Sequence, residues 1–424
     1  MRVSELKKKI ISGGFDETFS IFYKDLKKAQ NRFSKACDEF IKLYGDTENA
    51  RLFSAPGRTE VGGNHTDHQN GRVLAGSVDL DVIAVVCQRE DGVVSVKSEG
   101  YDMDTLSVSE LDIVSEETGR AISLIRGVLA NFVKKGYEIG GFNAYTTSNV
   151  LKGSGLSSSA AFEVLICNIL SGLYNGGKID KVEIAKISQK AEREYFGKPC
   201  GLLDQSASSL GGFTAIDFAD NENPIVEQVE FDISNVGYAL CVVNTGGNHA
   251  NLTDDYAAIT NECADISRYF GKKVLREVCP AEFLEKIAVL REKFGDRAVL
   301  RALHFFNENE RAALEKDALK KGDFDEFIRL VNESGNSSFR FLQNVYSTSN
   351  LKEQGVALGI AFTEQFLSSR SGAVRVHGGG FAGTIQCFIP VEILTEYKQY
   401  IENIFGKNSC YILKIRPIGG CEIK

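Results

Sequence analysis

The ten cysteines of this 424-residue chain form no CxxC pair and no ladder of metal-ligand spacings. That absence removes a cysteine-built metal site and leaves the expectation of buried, reduced thiols in a reducing compartment. No run approaches the roughly 18 apolar residues that a membrane span needs. The opening MRVSELKKKIISGGFDETF lacks the apolar stretch of a secretory signal. The expectation is a soluble, cytoplasmic protein, in which triplets such as Asn251-Leu-Thr are chance matches to a glycosylation acceptor. No GxxxxGK[ST] occurs either, which excludes a Walker A phosphate loop. Excess positive charge is missing too: 49 Lys and Arg face 57 Asp and Glu, a net charge of −8 that argues against a nucleic-acid partner. A local cationic site for a nucleotide stays open. Internal repeats and low-complexity tracts are absent.

What remains is of ordinary globular composition, long enough to bury about three quarters of its unfolded surface and to form two or three domains. Residues 1–45 carry apolar side chains at three-to-four spacing (Phe19, Phe22, Leu26, Ala29, Phe33, Ala36, Phe40), which predicts a helical N-terminal extension. From Arg51 the pattern turns to short β-rich runs, LFSAPG, VLAGSVDLDVIAVVCQ and GVVSVKSEG. Residues 117–136 return to helical spacing and end near Gly136. A strand, GGFNAYTT, then runs into a loop at Ser148–Gly155, followed by helices over Ala160–Tyr174 and 178–196. The polar DNENP stretch within 220–232 is the candidate junction, dividing an N-terminal domain (1–225) from a C-terminal one (226–424). Beyond it come a strand, VGYALCVVNT, several helices to about 370, and strands over Arg375–Pro390 and Cys410–Ile418. The predicted class is a two-domain α+β fold.

Four segments carry chemistry. In Asn149–Ala160 (NVLKGSGLSSSA) a strand meets a helix start through Gly153 and Gly155, and three serines follow. Free amides and the positive end of the helix dipole make such a start an anion site, and hydroxyls add donors or a Mg2+ ligand. A plain Gly-Ser turn with an N-cap explains the same residues. The second segment, Ala55–Gly71, packs Arg58, Glu60, Asn64, His65, Asp67 and His68 into one predicted loop, suited to gripping a polyhydroxyl ligand. His65, Asp67 and His68 could instead ligate zinc. Third, Cys200–Gly212 places one acid, Asp204, among small and apolar residues, either as a functional carboxylate or as a helix cap. Fourth, Arg375–Thr384 holds a literal GxGxxG (Gly378, Gly380, Gly383). The run after it, TIQCFIP, reads as a strand, so a dinucleotide fold is excluded and a tight glycine turn remains.

In this order the four segments resemble the GHMP kinase superfamily and, within it, the galactokinase branch. GRTEVGGNHTDHQNG is similar to the galactokinase signature, GSGLSSSA to the superfamily's phosphate loop, and HGGGFAG to its third glycine motif. The resemblance spans nearly the whole chain, apart from an N-terminal stretch longer than usual. It implies a two-domain GHMP kinase fold with the active site in the cleft between the domains and a last strand able to return to the first domain. It also implies Mg2+- and ATP-dependent phosphorylation of the anomeric hydroxyl of D-galactose, within a Leloir-type galactose-catabolic route. The partners implied are a sugar and ATP, for a monomer or weak homodimer.

By the resemblance, Arg58 stabilises the transferring phosphoryl group and Asp204 is the catalytic acid beside the sugar hydroxyl. Asn64, His65, Asp67, Gly201 and Tyr256 bind the sugar along with those two. Gly153, Ser154, Gly155, Leu156, Ser157, Ser158 and Ser159 bind ATP, its phosphates lying on Gly153, Gly155, Ser157 and Ser158, and Ser159 and Glu192 hold the Mg2+. Tyr256 lies in NHANLTDDYAAITNEC, where His249, Tyr256 and Cys263 keep a family-like spacing. The chain departs from the pattern at four places: Asn64 stands where the family has Glu, Glu60 where it has Asn, His68 where it has an aromatic residue, and Leu151 where it has Pro. These leave open a kinase for another sugar, such as N-acetylgalactosamine, arabinose or a uronic acid, and a non-catalytic sugar and ATP sensor.

Overall fold

The structure is a computed structural model that describes residues 1–150, 155–198, 200–247 and 252–424. Its elements, in chain order, are α1 (Val3–Ile11), α2 (Asp16–Phe22), α3 (Leu26–Tyr44), β1 (Arg51–Gly62), β2 (Arg72–Arg89), β3 (Val93–Ser98), β4 (Met103–Ser107), α4 (Ala121–Lys134), β5 (Gly141–Ser148), α5 (Ser158–Tyr174), α6 (Lys181–Lys190) and α7 (Leu203–Leu210). There follow β6 (Phe213–Asp217), β7 (Ile225–Val229), β8 (Tyr238–Gly246), α8 (Thr253–Tyr269), α9 (Pro280–Glu285), α10 (Ile287–Phe294), α11 (Asp296–Lys321), α12 (Phe324–Ser337), α13 (Gly355–Leu367), β9 (Ala373–His377), β10 (Gly383–Pro390), α14 (Leu394–Phe405), β11 (Cys410–Leu413) and β12 (Cys421–Ile423).

Two sheets organise them. The larger runs β12-β1-β2-β5-β3-β4, with β6 pairing the first half of β2 and β7 pairing β6. The smaller runs β11-β8-β10-β9. The long run of β2, VIAVVC, is apolar at every position because both of its faces are covered. Ala84 and Val86 join the core that α5 fills, whereas Ile83 and Val85 face Phe33 and Phe40 of α3. The N-terminal helices are thus a layer on the outer face of the larger sheet. Asp25 caps α3 by accepting from the Lys28 amide (3.0 Å).

That layer is also fastened by charge. Asp81 of β2 is fully buried, and its carboxylate accepts from Tyr23 Oη (2.5 Å), Arg32 Nη1 (2.5 Å), Ser54 Oγ (2.5 Å) and Arg416 Nη1 (3.1 Å). Arg416 is equally buried and stacks over Phe22 at 3.8 Å. Burial alone would raise the Asp81 carboxyl, but Arg32, Arg416 and the two hydroxyls outweigh it and hold its pKa below the usual value.

Several expectations change. The segment Ala55–Gly71 is not one loop: β1 continues to Gly62, so Arg58 and Glu60 stand on a strand, and only Gly63–Gly71 turns. Unbroken pairing of Arg58–Glu60 with Ala75–Ser77 of β2 explains why the strand persists. Arg375–Pro390 is two strands, β9 and β10, folded back at the glycine turn. The last predicted strand stops at Leu413, leaving only an isolated bridge from Ile415 to Val78. The 178–196 helix loosens into a π-turn over Ala191–Phe196. All ten cysteines are free, but Cys279 is exposed and Cys200 and Cys421 are half-buried. No helix among the described residues is long and apolar enough to cross a membrane.

Candidate active site

The pairing of β1 with β2 is regular from Arg58 to Glu60, so side chains alternate: Arg58 and Glu60 share one face and Thr59 points to the other. Thr59 is buried there, its hydroxyl 3.0 Å from His377 Nε2 of β9. On the opposite face Arg58 meets Asp204, which opens α7. Nε and Nη2 of Arg58 both lie 2.7 Å from Asp204 Oδ1. Ser157 Oγ donates to the other oxygen at 2.6 Å. Arg58 Nη1 also donates to the Gly155 carbonyl, and the Arg58 amide to the Leu156 carbonyl at 3.0 Å. Burial raises the Asp204 carboxyl, yet the Arg58 charge and the Ser157 hydrogen bond prevail and its pKa ends lowered. Asp204 is therefore an ionised, oriented carboxylate.

The helix start lies against this pair. α5 opens at Ser158, and Ser157 precedes it at φ 57, ψ 69, a left-handed conformation unusual for a residue with a Cβ. The first-turn amides of an α-helix have no partner within it, so this terminus offers donors to an anion beside Asp204. Leu156 is fully buried, and its side chain belongs to the core. Gly153, Ser154 and His249 lie outside the described residues.

Ser159 Oγ donates to Glu192 Oε1 at 2.8 Å, which brings the two expected metal ligands together. Lys198 Nζ reaches the same oxygen at 2.8 Å, and Gln205 Nε2 donates to Oε2 at 2.8 Å. One turn along α5, Glu163 is buried and faces Glu192; desolvation and that neighbour push its carboxyl well up. A carboxylate and a hydroxyl beside a phosphate site fit a hard cation that keeps oxygen ligands.

His65, Asn64 and Tyr256 gather around the turn between β9 and β10. His65 Nε2 lies 2.9 Å from the Gly379 carbonyl, Tyr256 Oη donates to the Gly380 carbonyl at 2.9 Å, and the two rings are 6.5 Å apart. Burial and His68 lower the His65 pKa to about 4, so the ring is neutral. Asp67 sits against Gly201, where a Cβ would come within 2.7 Å of its carboxylate; only glycine leaves that approach open. Among the described residues no group of three or more His, Cys, Asp or Glu is placed to hold a metal ion, so His65, Asp67 and His68 do not form a zinc site.

Asn64 departs from expectation. It is 0% exposed, and its amide is fully engaged inside the protein. Nδ2 donates to Glu60 Oε1 (2.7 Å) and the Gly378 carbonyl (2.8 Å), while Oδ1 accepts from Asn344 Nδ2 (2.8 Å) and Ser338 Oγ (3.2 Å). It braces the turn from behind. The sequence reading also missed Lys198 and Gln205, which hold Glu192. Gln205 adjoins Asp204 and Lys198 lies just before the Cys200–Gly212 segment, so proximity in sequence was the available signal. Glu60, which pairs with Arg375 Nη2 at 3.3 Å, was among the polar residues of Ala55–Gly71 but was given no role of its own.

Two family models match the chain: the GHMP kinases N terminal domain over residues 123–212 and the galactokinase galactose-binding signature over residues 38–88. The chain is 31% identical over 371 residues to a galactokinase of Clostridium tetani (strain Massachusetts / E88), covering 87% of this chain and 91% of that protein. A galactokinase of Thermotoga neapolitana is 30% identical over 353 residues, covering 83% and 93%. The fold is shared with Lactococcus lactis galactokinase complexed with galactose, at a TM-score of 0.75, 23% identity, and 90% and 97% coverage. Methanococcus jannaschii mevalonate kinase superposes at 0.60 with 14% identity, covering 87% and 99%. The two-domain GHMP kinase fold and a full-length relative above 30% identity agree, and the chain belongs to the galactokinase family of GHMP kinases.

Proposed function

We propose that this chain is an ATP-dependent galactokinase that transfers the γ-phosphoryl group of ATP to the anomeric hydroxyl of D-galactose, giving galactose 1-phosphate and ADP. The observation that carries the reading is the convergence of Arg58, Asp204 and Ser157 at the start of α5, where an anion site and an ionised carboxylate share one guanidinium. The names of the full-length relatives support it.

In this reading the sugar hydroxyl displaces Ser157 from Asp204 Oδ2. Arg58 spans the acceptor oxygen and the incoming phosphoryl group, neutralising charge as it spreads over the equatorial oxygens. As the new O–P bond forms and the bond to ADP breaks, the hydroxyl proton passes to Asp204. A carboxylate with a lowered pKa is a weak base, so this transfer falls late and orientation is its larger contribution. The first-turn amides of α5, with Gly155, Ser157 and Ser158, hold the phosphates; Gly153 and Ser154 of the same segment belong to the proposal. Mg2+ would sit on Ser159 and Glu192 and offset phosphate charge. The adenosine part suits the adjoining cavity of about 500 Å³, lined by Ser158, Ser159, Phe162, Tyr101 and Phe196. His65, Asp67, Gly201 and Tyr256 form the sugar side. The division between the domains near residue 225, a cytoplasmic location, a monomer or weak homodimer, and no nucleic-acid or membrane partner complete the proposal.

Purified protein incubated with Mg-ATP should release ADP with galactose in preference to N-acetylgalactosamine, arabinose and galacturonate. Preference for one of the others would reassign the substrate, and no sugar-dependent ADP at all would end the kinase reading. Glu192→Gln should raise the Mg2+ concentration giving half-maximal rate by about tenfold, equivalent to about 1.4 kcal/mol. An unchanged Mg2+ titration would remove Glu192 from the metal site.

A further inference from the structure

Glu60, like His68, is a polar side chain of Ala55–Gly71 to which the resemblance assigns no sugar contact. It stands on the same face of β1 as Arg58, two residues further along, a separation of about 6.6 Å at the usual strand rise. That separation is comparable to the width of a pyranose ring. Its Oε1 is occupied by Asn64 Nδ2 (2.7 Å) and Arg375 Nη2 (3.3 Å). Its side chain keeps 13% exposure, and the hydrogen bonds to its carboxylate among the described residues go to Oε1. Burial raises its carboxyl, opposed by Arg375, the Asn64 hydrogen bond and Arg58, so the charge of Arg58 is felt at Glu60. The amide of Asn64 has no capacity left for a ligand, since all four of its hydrogen-bonding positions are filled from within.

We infer that Glu60, and not Asn64, is the residue that reads the sugar at this place: its Oε2 accepts a hydrogen bond from a hydroxyl across the ring from the reacting one, while Asn64 and Arg375 fix its position. This rests on the sugar-kinase reading above. The hydroxyl lies at C4 or at the exocyclic C6 if the reacting hydroxyl is anomeric, since those are the positions on the far side of the ring. The chain has exchanged an amide and a carboxylate between two hydrogen-bonded positions, with the charge kept on the member that opens to the cleft. A carboxylate accepts a hydroxyl proton more strongly than a neutral acceptor does, so Glu60 confers selectivity for sugars that bear that hydroxyl.

The test compares wild type, Glu60→Gln and Glu60→Asp on galactose, 4-deoxygalactose and 6-deoxygalactose, with KM for ATP measured alongside. In wild type, one deoxy sugar should show a KM raised roughly tenfold over galactose. Glu60→Gln should raise KM for galactose by roughly fivefold to tenfold, with kcat and KM for ATP near wild type, and should shrink the penalty for that deoxy sugar. Glu60→Asp, which keeps the charge but shortens its reach, should show the same selective loss to a smaller extent. Equal wild-type KM values for all three sugars would overturn the inference without any variant being made. A KM rise of the same size for every sugar would mean a packing role and would overturn it too. Wild type that phosphorylates no sugar would overturn the underlying reading as well, a result distinct from both.

Discussion

Asp204→Asn should bind ATP with unchanged affinity and lose turnover by about 10²–10⁴-fold, the usual contribution of a positioned acid or base. The substitution keeps the volume of the side chain and its packing at the head of α7. It removes the charge that pairs with Arg58 and the carboxylate proposed to take the hydroxyl proton. Isothermal titration with a non-hydrolysable nucleotide separates the two effects from misfolding. Turnover in the Asn variant within about tenfold of wild type would take Asp204 out of the reacting centre. The pH profile adds a second readout. The folded pKa of Asp204 is depressed, so the active, ionised form persists as pH falls and is lost only below the ordinary carboxylate range of about 3.9.

The second large effect concerns stability. Asp81→Ala should destabilise the protein by about 3–5 kcal/mol, because it strands Arg416 as an uncompensated buried charge. It also removes the carboxylate partner of Tyr23 and of Arg32, leaving Arg32 its bonds to the backbone carbonyls of residues 81 and 147. Urea unfolding monitored by circular dichroism measures the change. A loss below about 1 kcal/mol, the size of a surface pair, would mean that apolar packing alone carries the N-terminal layer. The sign with pH follows from the depressed folded pKa of Asp81. Its contribution is fully present above the unfolded carboxyl value and is lost as pH falls through the folded one. Wild type should therefore lose stability in acid more steeply than Asp81→Ala.

Much of this site was legible before any coordinates, for a physical reason. Helix starts, glycine turns and isolated acids announce themselves through local chemistry: the Gly-Ser stretch before α5 and the lone Asp204 each stand out against apolar neighbours. The helical repeat of Phe33, Ala36 and Phe40 was readable because one face must be buried. The failures share the opposite property. Strand continuation through Arg58 and Glu60 was hidden, because a polar strand face looks like a loop until its partner, Ala75–Ser77, is known. The internal role of Asn64 depends on Gly378, Ser338 and Asn344, far away in sequence. Likewise Asp81, Arg416 and Tyr23 are unremarkable singly and meet only through tertiary packing.

The strand that borders β1 has a bearing on biosynthesis. Cys421–Ile423 pairs with Leu52–Ser54, and Arg416 reaches Asp81 from the same late segment. A nascent chain that has emitted β1 through β7 still has a bare hydrogen-bonding edge at β1, and Asp81 behind it has Arg32 but not yet Arg416. Until the ribosome delivers residues 416–423, that edge is open to intermolecular pairing. A fragment ending soon after β7 should therefore aggregate when expressed alone, and adding the late segment in trans should restore its solubility.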